Sequence, residues 1–468
     1  MGIIFPLITF PYASKALGVE NIGKYTYAHS IINYFVLFAG LGISTYAIRE
    51  GARIRNDEKK IETFASQMFS LNIATSVLSY AVLILLIIFV PGFGSYKVLL
   101  LILSLQIIFK TFGVEWIFSI YEDYFYITVR SIAFQVISLI AMFIFVKDEK
   151  SLYAYAFVTI LGSVGTGVMN LAYSKNYVKL RLTAKGPWKA HLKPIIVLFS
   201  LSLATTIYVS SDATMLGIMC GDYTTGIYAV PSRIYSILKT LLSSVLIVAI
   251  PHLSALLGNK EREKFNTVAQ DVLETLLTFV FPAVTGIILL RKEVVLLISG
   301  EEFLPAATPL IFLSVALVFC CCAWFWSQCI LVPNKKENIV LLATILSALL
   351  NVAINLVCIP VWEENAAAFS TLAAESVSFI ICYICGRKEL KMSGFINTVF
   401  KISAGCIAII IYILILNSFT MGYWLKLIFA ITGSVILYFI IEISVKNNAV
   451  VSVLRKLLEK FGIRKIQG

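Results

Sequence analysis

The sequence predicts an all-α polytopic membrane protein, and three observations carry that expectation. Hydrophobic runs long enough to cross a bilayer recur from Thr26 to Val445 with only short polar breaks between them. The mean hydropathy is +0.90. Charged residues make up 14% of the 468 positions, where a soluble domain carries about a quarter. This arrangement leaves no room for a separate soluble catalytic domain.

A span needs about 20 apolar residues to cross roughly 30 Å of hydrocarbon. Windows of that size begin near Thr26, Phe64, Val98, Tyr126, Ser151, Ile195, Thr224, Val268, Pro309, Ile339, Ala366, Thr398 and Gly422. The segment before them, Met1 to Ala13, covers only about 20 Å at 1.5 Å per residue, so it reads as part of a longer first helix. It has neither a basic n-region nor a small-residue cleavage site, which excludes a signal peptide. The expectation is therefore about fourteen transmembrane helices, the first truncated.

Lys and Arg set the orientation, because they are retained on the cytoplasmic side of short loops. With the short segment counted as helix one, loops after even-numbered helices and the tail hold 25 of the 38 basic residues, and the opposite loops hold 7. Both termini then lie inside. The net charge of +12 is divided among loops rather than gathered on one domain, which argues against nucleic-acid binding. In the tail, Val450, Leu454, Leu457 and Leu458 share one helical face, ringed by Arg455, Lys456 and Lys460. That pattern suits a helix lying on the anionic inner leaflet.

Cys320, Cys321, Cys322 and Cys329 share one apolar span, and Cys382 and Cys385 share another, so they read as small buried hydrophobes rather than metal ligands. His29, His191 and His252 are scattered. There is no Walker-type phosphate loop, no G-x-S-x-G and no H-E-x-x-H, and no cofactor is implied.

Transport chemistry is sought in polar groups within spans, where an ionisable side chain is costly unless it faces a cavity or a partner. The eighth helix places Ser232, Arg233, Ser236, Lys239, Thr240, Ser243 and Ser244 within an arc of about 140°, opposite Ile234, Ile237, Leu238, Leu241 and Leu242. The seventh helix has Ser202, Thr205, Tyr208 and Asp212 at helical spacing, and the twelfth has Thr371, Glu375 and Ser378. Asp212 reads either as counter-ion of a cation inside the protein or as an interfacial acid. Lys110 and Glu115, five apart in the fourth helix, are expected about 140° apart. Asp271 and Glu274 are expected in the first turns of the ninth helix, where carboxylates suit the macrodipole. Ser347, Asn351 and Asn355 read mainly as interhelical hydrogen-bonding groups.

The chain also resembles itself. Leu17-Gly18 and Gly23-Lys24-Tyr25 are echoed by Leu216-Gly217 and Gly226-Ile227-Tyr228 six helices later, in the same orientation. Such spacing predicts two parallel six-helix lobes with a substrate path between them. The expected division is residues 1–193 for the first lobe with its basic linker and 194–391 for the second. Two extra helices would follow over 392–445, with a basic tail over 446–468.

The segments FPLITFPYASKALG (5–18), ENIGKYTYAHSI (20–31), EDYFYITVRS (122–131), SDATMLGIMCGDYTTGIYAV (211–230) and LNVAINLVCIP (350–360) resemble the Wzx-type oligosaccharide flippases of bacterial surface-polysaccharide clusters. Their superfamily also holds the multidrug and toxic-compound exporters and the lipid II flippases. The resemblance implies a flippase, not an enzyme, in the bacterial cytoplasmic membrane. Its cargo would be an undecaprenyl-diphosphate-linked oligosaccharide repeat unit, moved from the inner to the outer leaflet. It further implies H+ or Na+ coupling and cooperation with a polysaccharide polymerase and export machinery. A cationic central cavity would be furnished by Lys15, Arg49, Arg130, Arg233 and Lys239, with Asp212, Glu115 and Glu375 as counter-ion or coupling residues. Lys15 stands where such proteins commonly carry Arg, which loses bidentate phosphate geometry. The alternatives are a cation-coupled drug or metabolite exporter of the same superfamily and, further off, a membrane glycosyltransferase or polysaccharide polymerase.

Overall fold

The computed structural model describes residues 4–392, 394–419, 422–447 and 450–451. Among them the chain is α-helical with 3-10 and π turns and no strand. In hydrocarbon the backbone must satisfy its own polar groups, and helices do so locally. Chain contacts divide the molecule into two compact units, one ending at Ala229 and the other beginning at Val230.

The first unit holds α1 (Ile4–Gly40), α2 (Ile43–Ile54), α3 (Glu58–Phe89), α4 (Lys97–Gly113), α5 (Glu115–Ile120), α6 (Tyr124–Phe145), α7 (Leu152–Tyr173), α8 (Trp188–Met219) and the start of α9 (Asp222–Gly258). The second holds the rest of α9, then α10 (Arg262–Leu289), α11 (Arg291–Ser299), α12 (Ala307–Trp324), α13 (Glu337–Gly386), α14 (Phe395–Asn417) and α15 (Tyr423–Ser444).

Eleven helical stretches among the described residues are long and apolar enough to cross a membrane. Gly18 (φ 73, ψ 175) divides α1 into two arms and Glu363 (φ 50, ψ −127) divides α13, while α4 adds a shorter apolar helix of 17 residues. The result is fourteen apolar segments, as the hydropathy predicts, of which 4–17 is the short first arm. Lipid-facing surface explains their composition. On α3, Leu85, Ile88 and Phe89 stand exposed while Leu83 and Ile87 join the core.

Two expectations need correction. The fourth helix is not continuous: it breaks at Val114, so Lys110 on α4 and Glu115 on α5 do not share one helical wheel. The ninth helix starts at Arg262, six residues earlier than the apolar window, which puts Asp271 and Glu274 beyond its first turns. Macrodipole stabilisation does not reach them; Glu274 is instead buried and accepts from Gln270 at 2.7 Å. The stretch around Arg49 is the amphipathic helix α2, which buries Ile43, Tyr46 and Ala47. The contact boundary between the two units falls within α9, and in the first unit α8 packs along α1.

The repeated glycines account for that packing. A Cβ on Gly23 would stand 1.8 Å from the Asp222 carbonyl oxygen, one on Gly226 would stand 2.1 Å from that of Val19, and one on Gly217 would run into the Tyr27 ring. The two copies of the motif touch each other inside the first unit, backbone to backbone. In the second unit, Ser347, Asn351 and Asn355 are buried, and Asn351 donates to Ser370 at 3.0 Å, joining the two arms of α13. Cys320, Cys321, Cys329 and Cys382 are buried, Cys321, Cys329 and Cys382 within the core built on α9, α10, α12 and α14. The amphipathic tail pattern from Val450 to Lys460 lies almost wholly outside the described residues.

Candidate functional site

Two membrane-embedded cations are each held by a carboxylate and a tyrosine, one in each unit. In the first unit α4 lies tightly on α7: a Cβ on Gly167 would come within 2.4 Å of the Phe109 carbonyl. Val114 then adopts φ 35, ψ 36, an uncommon conformation for a β-branched residue, and the chain restarts as α5 with Glu115 at its first position. The carboxylate of Glu115 reaches Nη2 of Arg130 on α6 at 3.4 Å. The guanidinium also donates through Nη1 to Asn170 on α7 and lies 5.3 Å from the centre of the Tyr126 ring. Arg130 is almost wholly buried, its side chain 2% exposed, whereas that of Glu115 is 56% exposed.

Beneath this cluster Asp123 caps α6, accepting the Tyr126 N–H at 3.2 Å, and receives the Tyr177 hydroxyl at 2.6 Å. That hydroxyl, foremost, holds the Asp123 carboxyl below the usual carboxylate range.

In the second unit the cation is Lys239 on α9. Its ammonium lies 3.6 Å from Oε1 of Glu375 on α13 and 5.6 Å from the centre of the Tyr235 ring. The Tyr235 hydroxyl donates to the same Oε1 at 2.7 Å. Glu375 is buried and Lys239 is 40% exposed on its side chain, so the pair runs from the interior outward. The hydroxyls of Ser236, Thr240 and Ser243 on α9 donate back to carbonyls of their own helix, on the more exposed side, while Ile234, Leu242 and Leu246 are buried.

The remaining expected residues are spread out. Arg233 is half-buried, six residues before Lys239. Lys15, on the first arm of α1, is exposed. Arg49 is exposed on α2, bonded through Nε to Glu50 at 3.0 Å and 5.7 Å from the centre of the Tyr46 ring. Asp212 is buried on α8 and accepts the Tyr228 hydroxyl at 2.6 Å. The structure therefore joins Arg130 to Glu115 and Lys239 to Glu375. Sequence reasoning missed the aromatic partners, although a signal was present: Tyr126 and Tyr235 each stand four residues before their cation, one helical turn away.

The many apolar helices with embedded ion pairs define a multi-pass membrane protein of the transporter class, and the relatives that follow carry the names of transporters. The chain belongs to the family described as "Polysaccharide biosynthesis protein", whose model matches residues 1–257. It is similar to a protein named "Putative O-antigen transporter" from Escherichia coli (strain K12), 22% identical over 397 residues that cover 83% of this chain and 94% of that one. A protein of the same name from Shigella dysenteriae is 23% identical over 366 residues, covering 74% and 87%. Among solved structures, "Lipid II flippase MurJ, inward closed conformation" superposes with a TM-score of 0.79 at 19% identity, covering 95% of this chain and 97% of that one. An inward-facing multidrug resistance MATE family transporter of the MOP superfamily gives 0.66 at 18% identity, covering 83% and 94%. The chain thus belongs to the polysaccharide biosynthesis family and has the fold shared by these solved transporters.

Proposed function

We propose that this protein carries undecaprenyl-diphosphate-linked oligosaccharide repeat units from the inner to the outer leaflet of a bacterial cytoplasmic membrane, with both termini on the cytoplasmic side. The observation that carries the reading is the buried Arg130, a cation kept inside the membrane region of a chain of this family. A diphosphate cannot cross hydrocarbon with its charge bare, and an embedded guanidinium or ammonium replaces its lost hydration. Arg130, Arg233 and Lys239 are the groups proposed to contact the diphosphate, with Lys15 and Arg49 collecting it at the surface. Glu375 and Asp212 are proposed to respond to the coupling ion, H+ or Na+, as the substrate displaces their partners. The product would be consumed by a polysaccharide polymerase outside.

The test is restoration of surface polysaccharide in a bacterium that lacks its own repeat-unit flippase and accumulates the lipid-linked unit on its inner leaflet. Restoration with loss of the accumulated intermediate is the expected result. Normal membrane abundance without restoration, across hosts with different repeat units, overturns the reading. Export of cationic dyes by the same cells would favour a drug exporter instead.

A further inference from the structure

We propose that Glu115 is a resident anion seated on Arg130, and that the phosphate group of a lipid headgroup takes its place, which makes this pair the gate of a headgroup-capture site. The inference rests on the flippase reading and adds to it a residue that competes with the substrate.

Three observations support the exchange. The pair is asymmetric, because Arg130 is locked among α6 and α7 with 2% of its side chain exposed, while the side chain of Glu115 is 56% exposed. The carboxylate can therefore rotate away at low cost, and the guanidinium cannot follow. The contact is also poor for an Arg–carboxylate pair, with a single approach of 3.4 Å in place of two parallel hydrogen bonds. Further, Nε of Arg130 is buried and has no hydrogen-bond partner among the described residues. A guanidinium has five N–H donors in a fixed fork, and a tetrahedral phosphate supplies enough oxygens to engage the donors that one carboxylate leaves idle.

The backbone explains why the carboxylate is there at all. The turn at Val114 ends α4 and begins α5, whose Trp116, Ile117, Phe118 and Ile120 are buried. Those anchors fix the helix, so Glu115 at its exposed end is the part free to move. A like device occurs in the other unit, where Glu375 holds Lys239, but there the acid is the buried member and the cation the more exposed one. Of these two pairs, it is the one at Arg130 whose buried member has the charge needed to hold a phosphate.

The experiment uses the full chain purified in detergent and two probes, farnesyl diphosphate and inorganic diphosphate, titrated calorimetrically. With its competitor neutralised, Glu115→Gln is expected to bind farnesyl diphosphate about tenfold more tightly than the wild type. The gain should vanish in Glu115→Gln/Arg130→Gln and persist in part in Glu115→Gln/Arg130→Lys, which keeps the charge and guards against a folding defect. A weaker, equally Glu115-dependent response to inorganic diphosphate identifies the prenyl chain as part of the ligand, and equal responses assign the site to the phosphate alone. Unchanged affinity in Glu115→Gln, or a gain that survives Arg130→Gln, overturns the inference. If the wild type restores polysaccharide and binds farnesyl diphosphate while Glu115→Gln changes nothing, the gate alone fails. If a well-folded wild type neither restores polysaccharide nor binds either probe, the flippase reading fails with it.

Discussion

Gly23 and Gly226 meet backbone to backbone: a Cβ placed on Gly23 would stand 2.9 Å from the amide nitrogen of Gly226. Each belongs to one copy of the short repeated motif, so the repeat marks a contact between its own two copies. Small residues let membrane helices approach this closely, and packing rather than the hydrophobic effect then holds them.

Gly23→Ala and Gly226→Ala should each lower the amount of folded protein in the membrane. The added methyl meets carbonyl oxygens at 1.8 Å and 2.1 Å, so helices must part, at a cost of about 1–3 kcal/mol or more. Gly258→Ala, where a Cβ would meet nothing within 4 Å, is the control. Fluorescence-detected size exclusion of tagged variants measures the effect; equal abundance of all three would show that the contact is loose.

Lys239 and Glu375 should behave as a coupled pair. Lys239→Ala leaves a buried carboxylate without its cation and should reduce thermal stability, since an uncompensated buried charge is costly. Glu375→Gln retains an oxygen that can accept from Tyr235, so it should be milder. The double variant Lys239→Ala/Glu375→Gln should recover about 1–2 kcal/mol relative to the sum of the singles. Strict additivity in melting temperatures would show that the 3.6 Å approach contributes nothing.

Much of this architecture was legible in the sequence, for a physical reason. Lipid demands long apolar helices, so span positions follow from hydropathy, and Thr224, Pro309 and Ile339 fall within two residues of the helix starts at Asp222, Ala307 and Glu337. What hydropathy cannot register is a backbone break inside an apolar run. Val114 gives no local sign of the turn that hands Glu115 to Arg130, since β-branched residues ordinarily avoid that conformation. The burial of Asp212 was likewise hidden, because it depends on a hydroxyl from Tyr228, 16 residues away and on the next helix.

Acid should loosen one surface clamp of the second unit. Glu389, in the stretch between α13 and α14, accepts from Lys336 Nζ at 2.8 Å and from Arg262 Nη2 at 2.6 Å, and these cations hold its carboxyl below the usual range. A carboxyl depressed on folding contributes stability that is present above its unfolded value, about 4.3, and is lost as pH falls through the folded one. Glu389→Gln should therefore lower the melting temperature by a few degrees at pH 7, about 1 kcal/mol for a partly exposed pair, and by progressively less below pH 4. A deficit that stayed constant from pH 7 to pH 3 would locate its cause elsewhere.

Orientation is open to direct labelling. Single cysteines at Lys185 and Asn417, both exposed, can be placed in a background with the nine native cysteines replaced and export retained. In intact cells an impermeant maleimide should modify the residue at 417 and spare that at 185, because basic loops stay in the cytoplasm. The reverse pattern would invert the chain and move the proposed loading side to the outer leaflet.

Arg233 provides the sharpest separation of a transport role from a structural one. It lies half-buried on α9, six residues before Lys239 and on the same polar face, bordered by exposed Ser236 and Thr240. If it contacts the diphosphate, Arg233→Ala should abolish polysaccharide export while membrane abundance stays near normal, since removing a counter-charge for substrate leaves the resting fold intact. Arg233→Glu should be worse, because repulsion is added to lost attraction. Arg233→Lys should keep part of the activity, retaining charge without the bidentate fork. Export and immunoblotted abundance, measured together, read both quantities. Full export in Arg233→Glu would remove this residue from the substrate path, and a parallel fall of abundance and export in Arg233→Ala would make it a packing residue instead.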